Sequence, residues 1–130
     1  NPILIKYHQW RILKMPEGPE CKRIAENLAE FVSNKKLLNI EILSGRYTKK
    51  TPGGLEVFES NMPIPVVGVG VHGKFIYWIL LKEFSIWNTL GMTGSWSTEE
   101  HSHNRVRFNF SDGSYLYFRD RKTSTISVRC

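Results

Sequence analysis

The chain has 130 residues, 41% hydrophobic and 23% charged, the composition of an ordinary globular domain long enough to bury a core. No run of apolar residues approaches the roughly 18 that a membrane span needs, and the opening segment lacks the apolar stretch and cleavage site of a signal peptide. The net charge of +6 permits a nucleic-acid partner without proving one, because residues 1–14 supply +3 of it and the remainder holds 15 basic against 12 acidic residues.

Residues 1–14 (NPILIKYHQWRILK) contain no acid and precede an internal methionine, Met15. They read as an upstream extension or as an ordered arm. Met15-Pro16-Glu17-Gly18-Pro19-Glu20 then opens the one clear helix, with Cys21, Ile24, Ala25, Leu28, Phe31 and Val32 at helical spacing. Proline suits a first turn, acidic residues suit the positive end of the helix dipole, and Asn34-Lys35-Lys36 supplies a stop. From Leu37 the pattern becomes β. Leu38–Ile42 alternates, Thr51–Gly54 is a turn, and Leu55–Asn61 reads as a short helix. Val66–Val71, Phe75–Leu81, Phe84–Thr89, Arg105–Phe110 and Tyr115–Phe118 follow as strands, punctuated by Gly73, by Gly91 and Gly94, and by Ser111-Asp112-Gly113. In Arg105–Phe110, Val106, Phe108 and Phe110 share one face. The fold class expected is mainly β with α: a two-layer β-sandwich with a leading N-terminal helix.

Cys21 and Cys130 are the only cysteines, so neither a disulfide framework nor a metal site is expected, and the compartment is read as reducing and intracellular. An N-terminal proline is a secondary amine that can attack C1′ of a nucleotide and form an iminium, an electron sink for later elimination. A neighbouring carboxylate can move protons to the sugar and the leaving base. The bland reading of the same residues is a plain helix start.

Three further segments accompany MPEGPE. They are Val71–Trp78, which places Lys74 directly after Gly73 at the mouth of a strand, Trp87–Trp96, an apolar strand ending in a glycine-flanked methionine loop, and the hairpin Phe110–Asp120 that returns to an acidic residue. In order and spacing, residues 15–126 resemble the formamidopyrimidine/endonuclease VIII family of DNA glycosylases. Ser44-Gly45-Arg46-Tyr47 and Trp87-Asn88-Thr89 resemble most the endonuclease VIII homologues of giant viruses.

The resemblance implies a base-excision enzyme that removes oxidised bases and cleaves the strand by β- or β,δ-elimination. It puts Pro16 at the nucleophile, Glu17 at the proton-shuttling carboxylate, Glu20 at the acid that supports the damaged nucleotide, and Lys74 at the phosphate-contacting lysine. Met92 falls on the residue that fills the gap left by a flipped base, a task suited to an apolar wedge. Arg46, His72, Arg121 and Lys122 are expected DNA contacts. The expected partner is damaged DNA, with no membrane association and a monomeric state. No metal or cofactor is expected in this piece; full-length relatives carry a zinc or zincless finger.

The sequence departs from the family in three places. Pro16 is internal, and an internal proline is a tertiary amide that cannot form a Schiff base. Either translation starts at Met15 and the methionine is removed, or residues 1–14 are cleaved, or the site is dead. The family's acid is followed by arginine, phenylalanine and glycine. Here Asp120 is followed by Arg121-Lys122-Thr123-Ser124, with either Lys122 or, with one residue deleted, Arg121 in the arginine's place and no aromatic. Residues 15–130 read as the N-terminal catalytic domain, truncated before the helix–two-turn–helix and finger domains. Two other function classes compete: an inactive DNA- or protein-binding relic of this domain, and a small β-barrel RNA-binding module with stacking aromatics such as Tyr115 and Tyr117.

Overall fold

The computed structural model describes residues 17–121 and 125–129. Residues 1–14, Pro16 and Lys122 lie outside the described residues. Helix α1 (Gly18–Val32) buries Cys21, Ile24, Ala25, Leu28 and Val32 along one stripe, as the spacing predicts. Pro19 sits in its first turn, where a missing N–H costs nothing. The helix ends where Ser33 turns extended and Asn34 takes a left-handed conformation, φ 68°, which asparagine tolerates better than most residues.

Among the described residues eight strands follow: β1 (Lys36–Ile42), β2 (Ile64–His72), β3 (Phe75–Leu80), β4 (Ser85–Thr89), β5 (Ser95–Ser97), β6 (Asn104–Phe110), β7 (Tyr115–Arg119) and β8 (Thr125–Arg129). A short helix, α2 (Leu55–Glu59), lies between β1 and β2. The strand order is β5-β7-β6-β1-β2-β3-β4-β8, every pairing antiparallel. Between β1 and β2 the paired positions are only Lys36 with Pro65 and Leu37 with Ile64. This narrow junction lets the sheet fold over, so that β3 faces β5 and β6. Trp78 of β3 packs its ring 5.2 Å from Phe108 and 5.4 Å from Trp96, centroid to centroid. The two-layer sandwich with a leading helix is therefore the fold, and α1 packs along β2.

Alternation decides which face each strand buries. In β6 every second residue, Asn104 through Phe110, is buried, and Arg105, Arg107 and Asn109 face outward. The inner face is rich in aromatic rings: Trp78, Trp96, Phe108, Phe110 and Phe118 are each no more than 2% exposed. The indole N–H of Trp96 donates to Asn88 Oδ1 at 3.0 Å, and Asn88 Nδ2 donates to the Thr125 carbonyl at 2.9 Å. That chain of bonds satisfies a buried asparagine and holds β8 to the core.

Two strands escape the sequence reading. Ser95–Ser97 is three residues long and buried throughout, so it shows no alternation. Thr125–Arg129 does alternate, yet as the last stretch of the chain it reads as a tail. In the fold, Val128 N–H donates to the Gly53 carbonyl at 2.7 Å, and a Cβ on Gly54 (φ 80°) would collide with the Val128 carbonyl oxygen. The Thr-Pro-Gly-Gly turn is thus the seat against which β8 closes.

Candidate functional site

The described residues among those singled out in the sequence converge on one end of the sandwich, and strand register explains how. Phe75, the first residue of β3, pairs with Thr89, the last of β4, and Thr89 pairs with Thr125, the first of β8. The β2–β3 turn, the loop leaving β4 and the first residue of β8 therefore share an edge. The β2–β3 turn is only Gly73-Lys74, and Gly73 supplies the positive φ of 60° that so tight a connection requires at its first position.

Lys74 projects from that turn toward the head of α1. Its Nζ lies 3.7 Å from Glu17 Oε2, with side chains 50% and 63% exposed. Glu17 caps the helix, and its backbone N–H donates to Glu20 Oε1 at 3.3 Å. Cys21 is buried beneath these groups. Burial first, then the charge of Glu20, pushes its thiol up, and Lys74 pulls the other way. Cys21 is thus a neutral thiol and no rival nucleophile. His72 is exposed at the end of β2, across the ladder from Phe75.

The loop after β4 closes with Gly94 N–H donating to the Leu90 carbonyl at 2.8 Å, and it holds Met92 outward, 42% exposed. Thr93, which follows it, donates to Asp120 Oδ1 at 2.9 Å. Asp120 is buried, and its Oδ2 lies 3.2 Å from Arg46 Nη2. Arg46 therefore faces a carboxylate, and it also donates to the Tyr47 hydroxyl at 3.2 Å. Arg121 is exposed at the same corner.

The structure thus brings Glu17, Glu20 and Lys74 together, and joins Met92, Arg46 and Arg121 through Thr93 and Asp120. Sequence reasoning passed over Thr93 and Arg105. A hydroxyl between two loop glycines, ahead of an acidic corner, was the available signal for Thr93. Beside Arg46, Tyr47, Lys50, Thr51, Pro52, Gly53, Thr125 and Ile126 line a cleft of about 370 Å³. Among the described residues no group of three or more His, Cys, Asp or Glu side chains is placed to hold a metal ion. Also among them, no helix is long and apolar enough to cross a membrane.

The chain is 33% identical over 121 residues to a formamidopyrimidine-DNA glycosylase of Oceanobacillus iheyensis, covering 88% of this chain and 42% of that protein. To the enzyme of that name from Salinispora arenicola it is 29% identical over 116 residues, covering 84% and 40%. The chain therefore spans about two fifths of the length of these relatives. In fold it is similar to wild-type Lactococcus lactis Fpg (MutM), solved with a DNA containing N7-benzyl-Fapy-dG, at a TM-score of 0.74 and 21% identity over 88% of this chain and 44% of that one. MutM solved with carbocyclic 8-oxo-G DNA gives a TM-score of 0.75, again at 21% identity and with coverage of 88% and 44%. The family model "Formamidopyrimidine-DNA glycosylase N-terminal domain" matches residues 15–126, and the chain belongs to that family.

Proposed function

We propose that this domain, when its chain begins at Pro16, is the catalytic half of a DNA glycosylase with abasic-site lyase activity. The observation that carries the reading is the ion pair between Glu17 and Lys74. It sets an ammonium against the carboxylate of the residue that follows Pro16, within a family match that starts at residue 15. The Pro16 nitrogen attacks C1′ as the bond from C1′ to the damaged base breaks, and the base leaves with a proton delivered through Glu17. Glu17 then takes the proton from the nitrogen and passes it to O4′ as the C1′–O4′ bond breaks, which opens the sugar ring and leaves an iminium. The resulting iminium draws electrons while a proton leaves C2′ and the C3′–O bond breaks, releasing the 3′ phosphate. Lys74 and His72 offer positive or hydrogen-bonding partners to the flanking phosphates.

Met92 fills the gap left when the nucleotide is flipped out. Arg121 and Lys122 supply further backbone contacts, and Glu20 supports the extruded nucleotide. Oxidised bases in DNA are the proposed substrate, and an intracellular, DNA-containing compartment is the proposed setting. The test is incision of a labelled strand carrying an abasic site, with and without prior removal of residues 1–15. Cleavage confined to the shortened chain supports the reading. No cleavage by either form favours the second reading, a non-catalytic relic.

A further inference from the structure

Asp120 ends the β6–β7 hairpin, 1% exposed. A carboxylate withdrawn from water is costly unless it is paired and hydrogen-bonded, so its partners are structural commitments. Thr93 Oγ1 donates to Oδ1 at 2.9 Å, Arg46 Nη2 lies 3.2 Å from Oδ2, and Arg105 Nε donates to the Asp120 carbonyl at 2.6 Å. The Asp120 N–H donates to the His103 carbonyl at 3.0 Å. Arg105 also donates through Nη1 to Ser44 Oγ at 3.0 Å, beside the turn that carries Arg46. Four segments distant in sequence meet at one buried charge.

Thr93 is the pivot. It follows Met92, and besides donating to Asp120 its hydroxyl accepts from the Arg121 backbone N–H at 3.4 Å. One hydroxyl therefore ties the exposed Met92 turn to the corner that presents Arg121. A wedge on an unanchored loop would lose conformational freedom on entering a duplex, and anchoring it beforehand lowers that cost.

We infer that Thr93 and Asp120 are positioning residues that set Met92 and Arg121 as one unit toward a gapped duplex. Arg46 is the counter-charge that holds the Asp120 carboxylate in place. This inference rests on the reading of Met92 as the gap-filling residue given above.

The experiment uses the 130-residue chain and a duplex carrying a tetrahydrofuran abasic analogue opposite 2-aminopurine, whose fluorescence rises as a side chain unstacks it. Binding amplitude is read for the parent chain, Met92→Ala, Thr93→Val and Thr93→Ser, and each variant's melting temperature is recorded. Met92→Ala is expected to abolish the amplitude. Thr93→Val keeps the shape but loses the charge-assisted hydrogen bond, and is expected to lower the amplitude by roughly half or more. Thr93→Ser is expected to restore it. Full amplitude in Thr93→Val alongside none in Met92→Ala overturns the coupling and leaves the Met92 reading standing. Full amplitude in Met92→Ala removes that reading and the inference with it. Equal loss in Thr93→Val and Thr93→Ser, tracking a fall in melting temperature, marks the contact as merely structural and also overturns the proposal.

Discussion

Lys74, at the tip of a two-residue turn, holds its ammonium 3.7 Å from the Glu17 carboxylate at the head of the leading helix. Both side chains are half exposed or more, so the pair itself contributes little to stability, about 1 kcal/mol or less. What it fixes is place: it brings the β2–β3 turn and the start of α1 to the same point.

Lys74→Ala should therefore leave the melting temperature nearly unchanged while weakening binding to all DNA sequences about equally. The slope of log K against log salt should fall by roughly 1, the signature of one lost phosphate contact. Titrations across a salt series measure this, and an unchanged slope would return Lys74 to the role of a solvated charge.

The buried Trp96–Asn88 hydrogen bond gives a stability prediction away from the site. Trp96→Phe removes the indole N–H that donates to Asn88 Oδ1 at 3.0 Å, leaving a buried acceptor unpaired at a cost of about 1–3 kcal/mol, besides the lost ring volume. Denaturant unfolding followed by circular dichroism should show the midpoint drop with little change in the slope. No shift would mean that Asn88 finds another partner.

Alkaline pH supplies a third prediction. Tyr117 is pushed up to about 12, first by burial and then by the bond its hydroxyl donates to Glu100 at 2.6 Å. Burial likewise raises Cys21 and Tyr47. Each group holds its proton more tightly folded than unfolded, so its contribution is complete below the unfolded value and lost as pH rises through the folded one. For Tyr117 that window runs from 10.0 to about 12. Melting temperatures should fall across it, and less steeply in Tyr117→Phe. Parallel curves for the two proteins would contradict the assignment.

Much of this was legible in the sequence, for identifiable reasons. The α1 stripe from Cys21 to Val32 and the alternation in β6 are periodic, and period reports which face meets the core. Ser95–Ser97, buried on every residue, has no period to report. At the site, Glu17 and Lys74 stand out in the sequence by their neighbours in the chain. Arg46 reads in the sequence as a phosphate contact because charge is visible there and its partner is not. Only the fold shows that its guanidinium meets Asp120, and that Thr93 completes the link.

DNA affinity follows from the same pairings. Lys74 is expected to supply one phosphate contact, Arg46 faces the Asp120 carboxylate, and Met92 is the one exposed apolar side chain of its loop. Lesion-specific binding needs several phosphate contacts to set the register. Residues 16–130 are therefore expected to fold and to bind duplex DNA in the non-specific range, about 10⁻⁴ to 10⁻⁶ M at physiological salt. Residual lyase activity should favour abasic single strands, where no stacking opposes access. Nanomolar, lesion-selective duplex binding would contradict this.

The most direct measurement is borohydride trapping on abasic DNA, comparing a chain that begins at Pro16 with the 130-residue chain. A Schiff base requires a free amine, and only the shortened chain presents the proline nitrogen as one. The account predicts a reduced covalent complex with the shortened chain, none with the longer one, and loss of the complex when Pro16 is replaced by Gly with the terminus blocked by acetylation. Equal trapping by both chains would contradict it and move the nucleophile to a lysine, with Lys74 the first to test.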